Sequence, residues 1–185
     1  METLLENDVM IDKTTLQNID WDSLTFSLNP TRSMFVAECV EGGEWETGKL
    51  IPYGDVKISP AAGVLNYGQG VFEGIKAFRS SRDRIIFFRL NKNAMRFYRS
   101  CKRLCVPPVS VEMFMESVAE VVKDNADYVP PIGKGSLYIR PVAWGTGPVL
   151  GVNPAPSYTF LIFVSPVGPY FKDGVKPLNL RVTHN

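Results

Sequence analysis

The stretch VEMFMESVAEVV at residues 111–122 and the stretch SLYIRPVAW at residues 136–144 decide the fold class. The first repeats apolar residues at helical spacing, and Ser110 before it is a residue type that caps helix N-termini. The second alternates with a period of two, which is typical of a β-strand. The residues predicted to face inward from the helix are Val111, Phe114, Met115, Val118, Val121 and Val122. A helix and then a strand are therefore predicted, separated by the prolines at residues 130–131.

Further strands and a second helix surround this pair. Residues 94–105 carry an apolar stripe that begins after Asn91, a possible cap, and the prolines at residues 107–108 end it. The other strand candidates are residues 34–40, 75–78, 85–88 and 157–165. Polar residues 79–84 between two of these runs indicate a hairpin. Strands on both sides of two helices predict an α+β layer architecture.

Four segments are predicted along the chain. Residues 1–30 form a polar N-terminal lead-in, and residues 31–165 form a small α+β domain. Residues 166–176 are rich in glycine and proline, as linkers are. Residues 177–185 alternate again, so we expect them to be the first strand of a large domain that is absent from this chain.

Composition excludes several classes of function. The 185 residues are 45% apolar and 21% charged with a net charge of +1, so no global field attracts nucleic acid. The apolar run at residues 158–167 is about half the length that spans a bilayer, so no membrane span is expected. Three cysteines without C-x-x-C spacing and a single histidine, His184, predict no metal site. An acid-rich N-terminus without a transit-peptide pattern predicts a cytoplasmic location.

Two arginines and one glycine-rich stretch are the features of the sequence to be tested as binding motifs. The glycines of GQGVFEG at residues 68–74 stand at positions 1, 3 and 7, which does not match a dinucleotide fingerprint. Arg96 shares a predicted helix face with other basic residues, a pattern that by itself indicates a solvated face. Arg140 lies inside a predicted strand and needs an anionic partner, from the protein or from a ligand. The aromatic residues expected in the core or at its rim are Tyr67, Phe72 and Tyr138.

The stretch LNYGQGVFEGIKAF at residues 65–78 resembles the branched-chain amino-acid aminotransferases, the fold-type IV enzymes that use pyridoxal phosphate. The likeness extends in register over about residues 20–185. Other matching stretches are NAMR at 93–96, RLC at 103–105, VPP at 129–131, SLYIRP at 136–141, LGV at 150–152 and SPVG at 165–168. The resemblance implies the small N-terminal domain of that fold, a mostly antiparallel sheet with two helices.

The resemblance also implies roles for individual residues. Arg96 is expected to hold the cofactor phosphate with its guanidinium fork. The residues expected to bind the substrate are Tyr67, Phe72, Tyr138, Arg140, Val152 and Tyr170. Of these, Tyr170 matches an interdomain gate, and the loop around Val152 matches a segment that completes the pocket of the other subunit in a homodimer. The implied substrates are branched-chain amino acids and 2-oxo acids, although methionine-like substrates fit similar pockets.

The catalytic lysine of the family has no match. Family members continue past the position of Asn185 into a large domain that carries the lysine of the Schiff base, and Lys76 matches a different lysine. We therefore expect a truncated chain that has no catalytic residue of its own and is inactive alone. We also expect it to bind the cofactor weakly or not at all. One alternative is a non-catalytic small-domain protein that pairs with full-length relatives. A stand-alone binder of anions through Arg96 and Arg140 is a third.

Overall fold

The computed structural model describes residues 19–169, 177 and 179–183. The rest of the chain, which includes most of the predicted lead-in and linker, lies outside the described residues. Residues 177 and 179–183, which belong to the predicted final strand, have no regular secondary structure. An alternating segment becomes a strand only where a neighbouring strand pairs with it.

An antiparallel sheet and two long helices form the described fold. The strands are β1 Ser33–Val40, β2 Lys49–Pro52, β3 Gly70–Phe72, β4 Ile75–Arg79, β5 Ile85–Phe87, β6 Ser136–Gly145 and β7 Ser157–Val167. The helices are α1 Gly63–Tyr67, α2 Leu90–Arg103 and α3 Val111–Asp124, and a short 3₁₀ helix covers Ala126–Tyr128. The predicted α+β class is confirmed.

Strand β6 is the centre of the sheet. The strand order is β2-β1-β7-β6-β4-β5, and β3 also pairs with β6. One edge of β6 therefore pairs with β7, while β3 and β4 share its other edge. In that edge Phe72 lies opposite Val142, and Ile75 lies opposite Ile139. The two residues between β3 and β4 consequently turn next to the middle of β6.

The two faces of the sheet differ in what covers them. On β6, Leu137, Ile139 and Ala143 belong to the main core, which includes the apolar sides of α2 and α3. Val142 and Trp144 belong to a smaller cluster on the opposite face, because side chains alternate along a strand. We call this opposite side the open face, since neither α2 nor α3 packs on it.

Aromatic rings join the helices to the sheet. Phe97 of α2 lies 5.1 Å from Phe114 of α3 and 5.6 Å from Phe160 of β7, measured between ring centroids. All three side chains are fully buried. Such rings bury large apolar areas and prefer tilted contacts at these distances. This aromatic triad fixes both helices on one face of the sheet.

The predicted helices are confirmed with one correction at α2. Ser110 caps α3 by accepting a hydrogen bond from the Met113 N–H at 3.0 Å, as expected. Helix α2 begins at Leu90 after Arg89, whose φ of +54° is left-handed, so Asn91 lies inside the helix and does not cap it. The sequence does not predict this helix start, because a left-handed backbone conformation is uncommon for residues other than glycine.

Short elements and strand ends also differ from the sequence pattern. The pattern does not predict α1, β2 or β3, which have five residues or fewer. Pairing with the longer strands β1 and β6 stabilises β2 and β3, and a short window carries little periodicity. Strand β7 continues through Pro166 and Val167, which face Leu137 and Ser136 across the sheet. The sheet thus extends two residues into the segment predicted as linker.

Asn125 connects α3 to β1 and is fully buried. Its Oδ1 accepts hydrogen bonds from the backbone N–H groups of Arg32 at 2.9 Å and Ser33 at 3.2 Å. Its Nδ2 donates to the carbonyls of Val121 at 2.8 Å and Ser33 at 3.1 Å. One amide therefore satisfies backbone groups at the end of the helix and at the start of the strand.

We expect Asn125→Ala to lower the free energy of unfolding by about 3 kcal/mol, because it leaves several buried backbone groups without partners. Urea unfolding followed by circular dichroism measures this loss. Asn66→Ala is the control, since the Asn66 side chain is exposed and bonds only to nearby carbonyls. Equal losses in the two variants would contradict the bridging role of Asn125.

Candidate active site

The turn between β3 and β4 carries a buried carboxylate, Glu73. Its side chain is only 4% exposed, and glutamates are rarely buried without partners. Its backbone N–H donates to the carbonyl of Pro141 on β6 at 2.9 Å. That bond holds the turn against the middle of the sheet.

Arg96 of α2 is the principal partner of this carboxylate. Its Nη2 donates to Oε2 of Glu73 at 2.7 Å and its Nε donates to Oε1, so the ion pair is bidentate. Nδ2 of Asn93 donates to Oε2 at 3.0 Å. Asn93 and Arg96 stand three residues apart and so share one face of the helix. The Arg96 side chain is still 62% exposed, so an anion from solvent can reach it.

The charge of Glu73 follows from these contacts. Burial by itself raises the pKa of Glu73, but hydrogen bonds from Arg96 and Asn93 and the charge of Arg96 outweigh it. The pKa of Glu73 therefore lies below its ordinary value, and the carboxylate is ionised at neutral pH. The same pair raises the pKa of Arg96.

A basic groove surrounds the outer side of Arg96. The residues that line it are Phe88, Arg89, Lys92, Asn93, Met95, Arg96 and Arg99. Four of them are cationic, and Glu73 compensates only Arg96 by a direct ion pair. A groove of this composition can bind an anion such as a phosphate.

Arg140 stands on the open face between two aromatic rings. Its guanidinium carbon lies 4.7 Å from the ring centroid of Phe72 and 5.2 Å from that of Tyr138. Its Nη2 donates to the Tyr138 hydroxyl at 2.7 Å. Its buried Nε has no hydrogen-bond partner among the described residues. A half-buried cation with an unsatisfied donor is suited to a carboxylate ligand.

Gly74 makes room for Tyr138. A Cβ atom at position 74 would lie 2.5 Å from the Tyr138 hydroxyl oxygen and 3.3 Å from the carbon that bears it. On its other side, the Tyr138 ring meets Phe26 edge to face, with centroids 5.2 Å apart. Any larger residue at position 74 would push the ring that holds Arg140.

A loop between β6 and β7, residues 146–156, carries another part of the predicted site. Two of its apolar residues are exposed, Leu150 at 92% and Val152 at 85%. The Tyr67 hydroxyl donates to the Leu150 carbonyl. Tyr67 is therefore placed beside this loop, and Val152 lies at its tip.

The structure brings together part of the predicted site. Phe72, Tyr138 and Arg140 form one cluster. Arg96 is joined to this cluster through Glu73, whose side chain binds Arg96 and whose backbone binds the residue after Arg140. Sequence reasoning did not give Glu73 or Asn93 a role. The sequence signal that could have indicated a role for Glu73 is its position as a single acidic residue within an apolar stretch.

Other predicted residues stand apart from the cluster. Tyr67 and Val152 belong to the loop region, and Tyr170 lies outside the described residues. Lys76 lies opposite Tyr138 in the β4–β6 pairing, so its side chain shares the open face with that tyrosine. The roles of these residues stay predictions.

Comparisons with known proteins show what this chain is similar to. The family model described as amino-transferase class IV matches residues 70–184. Branched-chain-amino-acid aminotransferase 5, chloroplastic, of Arabidopsis thaliana is 54% identical over 171 residues, which cover 92% of this chain and 41% of that protein. Methionine aminotransferase BCAT4 of the same plant is 42% identical over 165 residues, covering 89% of this chain and 46% of that protein.

Solved structures match as well. A branched-chain aminotransferase from the archaeon Thermoproteus uzoniensis with norvaline aligns with a TM-score of 0.59 and 31% identity, covering 76% of this chain and 43% of that one. The T.th. branched-chain amino acid aminotransferase with pyridoxamine 5'-phosphate aligns with a TM-score of 0.61 and 29% identity, covering 80% of this chain and 44% of that one.

The chain belongs to the class IV amino-transferases. The resemblance to the N-terminal part of the branched-chain aminotransferases is confirmed, and the chain spans about two fifths of the length of such relatives. Within the described ranges, no helix is both long enough and apolar enough to cross a membrane.

We expect Arg96→Met to lower the free energy of unfolding by about 2 kcal/mol, because the buried Glu73 carboxylate loses its cation. Arg99→Met is the matched control: Arg99 is exposed on the same helix, and we expect a change within about 0.5 kcal/mol. Urea unfolding of both variants tests the difference. Equal stabilities would show that the ion pair contributes nothing.

The same ion pair predicts a pH dependence. Because the folded-state pKa of Glu73 is lowered, its contribution to stability is present above the unfolded-state pKa of about 4.3 and is lost as the pH falls through the folded-state value. We therefore expect the stability gap between the wild type and Glu73→Gln to shrink on acidification from pH 7. Urea unfolding at stepped pH measures the gap, and a constant gap would exclude the charge of Glu73 as its source.

Proposed function

We propose that this chain is the small domain of a branched-chain amino-acid aminotransferase, which transfers the amino group of leucine, isoleucine or valine to 2-oxoglutarate. One observation carries the proposal: the turn that contains Glu73 contacts both arginine-bearing elements. The Glu73 side chain binds Arg96, and the Glu73 backbone binds Pro141 on the strand that carries Arg140. Two anion-binding groups thus have a fixed relation to each other. The names of the relatives support the substrate class.

The described residues fit a cofactor that carries a phosphate. Glu73 and Asn93 orient Arg96, yet its side chain stays largely exposed within a basic groove. Arg96 would hold the phosphate of pyridoxal phosphate, and the pyridoxamine 5'-phosphate complex of a solved relative supports this cofactor class. When bound, pyridoxal phosphate supplies the electron sink for amino transfer.

The cluster on the open face fits the substrate. Arg140 would bind a carboxylate of the amino acid or the 2-oxo acid through the edge that includes its unsatisfied Nε. Tyr138 orients Arg140 by its hydroxyl, and the ring of Phe72 covers the guanidinium and excludes water. The exposed Tyr67 and Val152 would add apolar contacts, the latter toward the partner subunit of a homodimer. Tyr170 remains the predicted gate.

Proton transfer needs a lysine that we assign to the part of the enzyme outside this chain. Lys76 lies across from Tyr138 on the open face and matches a non-catalytic lysine of the family. We infer that residues 1–185 alone bind the cofactor weakly or not at all and do not transaminate. A cytoplasmic location also remains only a prediction. Relatives of this chain are named as chloroplastic or mitochondrial proteins.

A non-catalytic small-domain protein is the second candidate. The observation that favours it is a set of exposed apolar side chains on the cluster and on the loop at residues 146–156, including Phe72 at 66%, Leu150 at 92% and Val152 at 85%. Exposed apolar groups in this number are typical of surfaces that contact another protein. Such a chain would pair with a full-length relative through these exposed side chains.

A chimaera tests the first candidate. Residues 20–185 replace the matching part of the Arabidopsis aminotransferase 5, and conversion of leucine and 2-oxoglutarate is measured with added pyridoxal phosphate. We expect an active enzyme, and we expect Arg140→Met to lower kcat/KM at least about 100-fold because the substrate carboxylate loses its anchor. Arg82→Met is the control, because Arg82 is exposed and outside both the groove and the Arg140 cluster, and we expect its kcat/KM to stay within about twofold.

Residues 1–185 and their Lys76→Ala variant are assayed beside the chimaera. Turnover by residues 1–185 above the cofactor background would contradict their inactivity, and its loss in Lys76→Ala would make Lys76 catalytic. A folded but inactive chimaera would overturn the first candidate. Mass photometry of residues 1–185 with the full-length relative then decides the second, which requires a mixed dimer.

A further inference from the structure

Gln69 lies between α1 and β3, and its side-chain amide joins two separate segments. Oε1 accepts a hydrogen bond from the Ala155 N–H at 3.0 Å. Nε2 donates to the carbonyls of Leu104 at 3.3 Å and Cys105 at 3.1 Å. One amide thus connects the base of the 146–156 loop to the C-terminal end of α2.

The backbone around Gln69 is built closely about this amide. The Gln69 carbonyl accepts a hydrogen bond from the Gly145 N–H at 2.9 Å. A Cβ atom at position 145 would lie 2.5 Å from Oε1 of Gln69 and 2.9 Å from the Ala155 Cβ. Gly145 therefore leaves the space in which the amide and the loop base meet.

The polar groups around position 69 suit an amide side chain. The last carbonyls of a helix have no partner within the helix, and α2 ends at Arg103, just before Leu104 and Cys105. The Leu104 carbonyl takes its donor from Gln69, and the Cys105 carbonyl takes donors from Gln69 and from the Tyr158 hydroxyl at 3.2 Å. The Ala155 N–H takes its acceptor from Gln69. A glutamine side chain offers both on one planar group. An apolar side chain of similar length offers neither.

The loop is held differently at its base and at its tip. Ala155 at the base is fully buried, whereas Leu150 and Val152 are almost fully exposed. The Val149 N–H donates to the Ala61 carbonyl at 2.9 Å, which ties the first half of the loop independently of Gln69. Gln69 is the side chain that ties the second half to α2.

We propose that Gln69 is a positioning residue that sets where the loop tip stands relative to α2, the helix that carries Arg96. The hydrogen bonds of Gln69 by themselves support this coupling between the loop and the helix. Its effect on catalysis rests on the proposed function. If the tip completes an apolar substrate pocket, Gln69 affects how tightly the amino-acid side chain is held. It does not contact the reacting atoms, so the chemical step is preserved.

Hydrogen exchange of residues 1–185 tests the coupling. In Gln69→Met we expect protection of the Ala155 amide to fall about tenfold or more, since its acceptor is lost. The Val149 amide and the β6 and β7 amides serve as internal controls and keep their protection. Unchanged protection at Ala155, or an equal loss throughout the sheet, would overturn the proposal.

Gln69→Glu distinguishes the amide's bonding pattern from its bulk. At pH 8 the introduced carboxylate can still accept from the Ala155 N–H, but it cannot donate to the two carbonyl oxygens and is repelled by them, so we expect a partial loss of Ala155 protection that is smaller than in Gln69→Met. At pH 5 a protonated carboxyl again offers one donor and one acceptor, because the carbonyls favour its neutral form. Exchange corrected for intrinsic rates should then recover toward the wild type. No recovery would overturn the donor–acceptor role.

Kinetics of the chimaera add a readout of substrate positioning. We expect Gln69→Met to raise KM for leucine about tenfold while kcat changes less than about twofold, because ground-state and transition-state binding are weakened alike. A fall in kcat at unchanged KM would overturn the positioning role. An inactive parent chimaera would overturn the proposed function only, since the exchange experiment judges Gln69 without any catalysis.

Discussion

Strand β6 imposes the constraint on which the rest of the site depends. Side chains alternate along a strand, so Leu137 and Ile139 enter the core under the helices while Tyr138 and Arg140 emerge on the open face. A shift of the register by one residue would bury the arginine and expose the core. The pairing of β6 with β7 over ten residue pairs, from Ser136 to Gly145, prevents that shift.

The ion pair between Glu73 and Arg96 reduces the net charge beside β6 but fixes the orientation of the guanidinium. Glu73 offsets much of the positive charge of Arg96, which weakens the long-range attraction that the guanidinium would exert on a phosphate. In return, two bonds to one carboxylate hold the guanidinium plane before any ligand arrives. A prepositioned group loses less conformational entropy on binding. The remaining cations of the groove, such as Lys92, can supply the attraction that Arg96 gives up.

Local signals were readable from the sequence, and contacts between distant residues were not. The Ser110 cap and the alternation around Arg140 depend on neighbours within a few positions, and both predictions hold. Glu73 binds a residue 23 positions away and Gln69 binds one 86 positions away, so their partners leave no periodic pattern. The left-handed Arg89 is likewise imposed by the chain around it rather than by its own preference. The resemblance supplied site roles but not the side chains that orient them.

The order of the strands has a consequence for synthesis of the chain. Strand β1 pairs with β7, whose residues are made more than 100 positions later, as in the contact of Phe35 with Ile162. At roughly 5–20 residues per second on the ribosome, β1 waits for at least about 5 s before its main partner exists. During that interval β1 can pair only with β2, and the backbone groups along its other edge are open to other nascent chains. Chaperone demand should therefore peak before translation reaches β7.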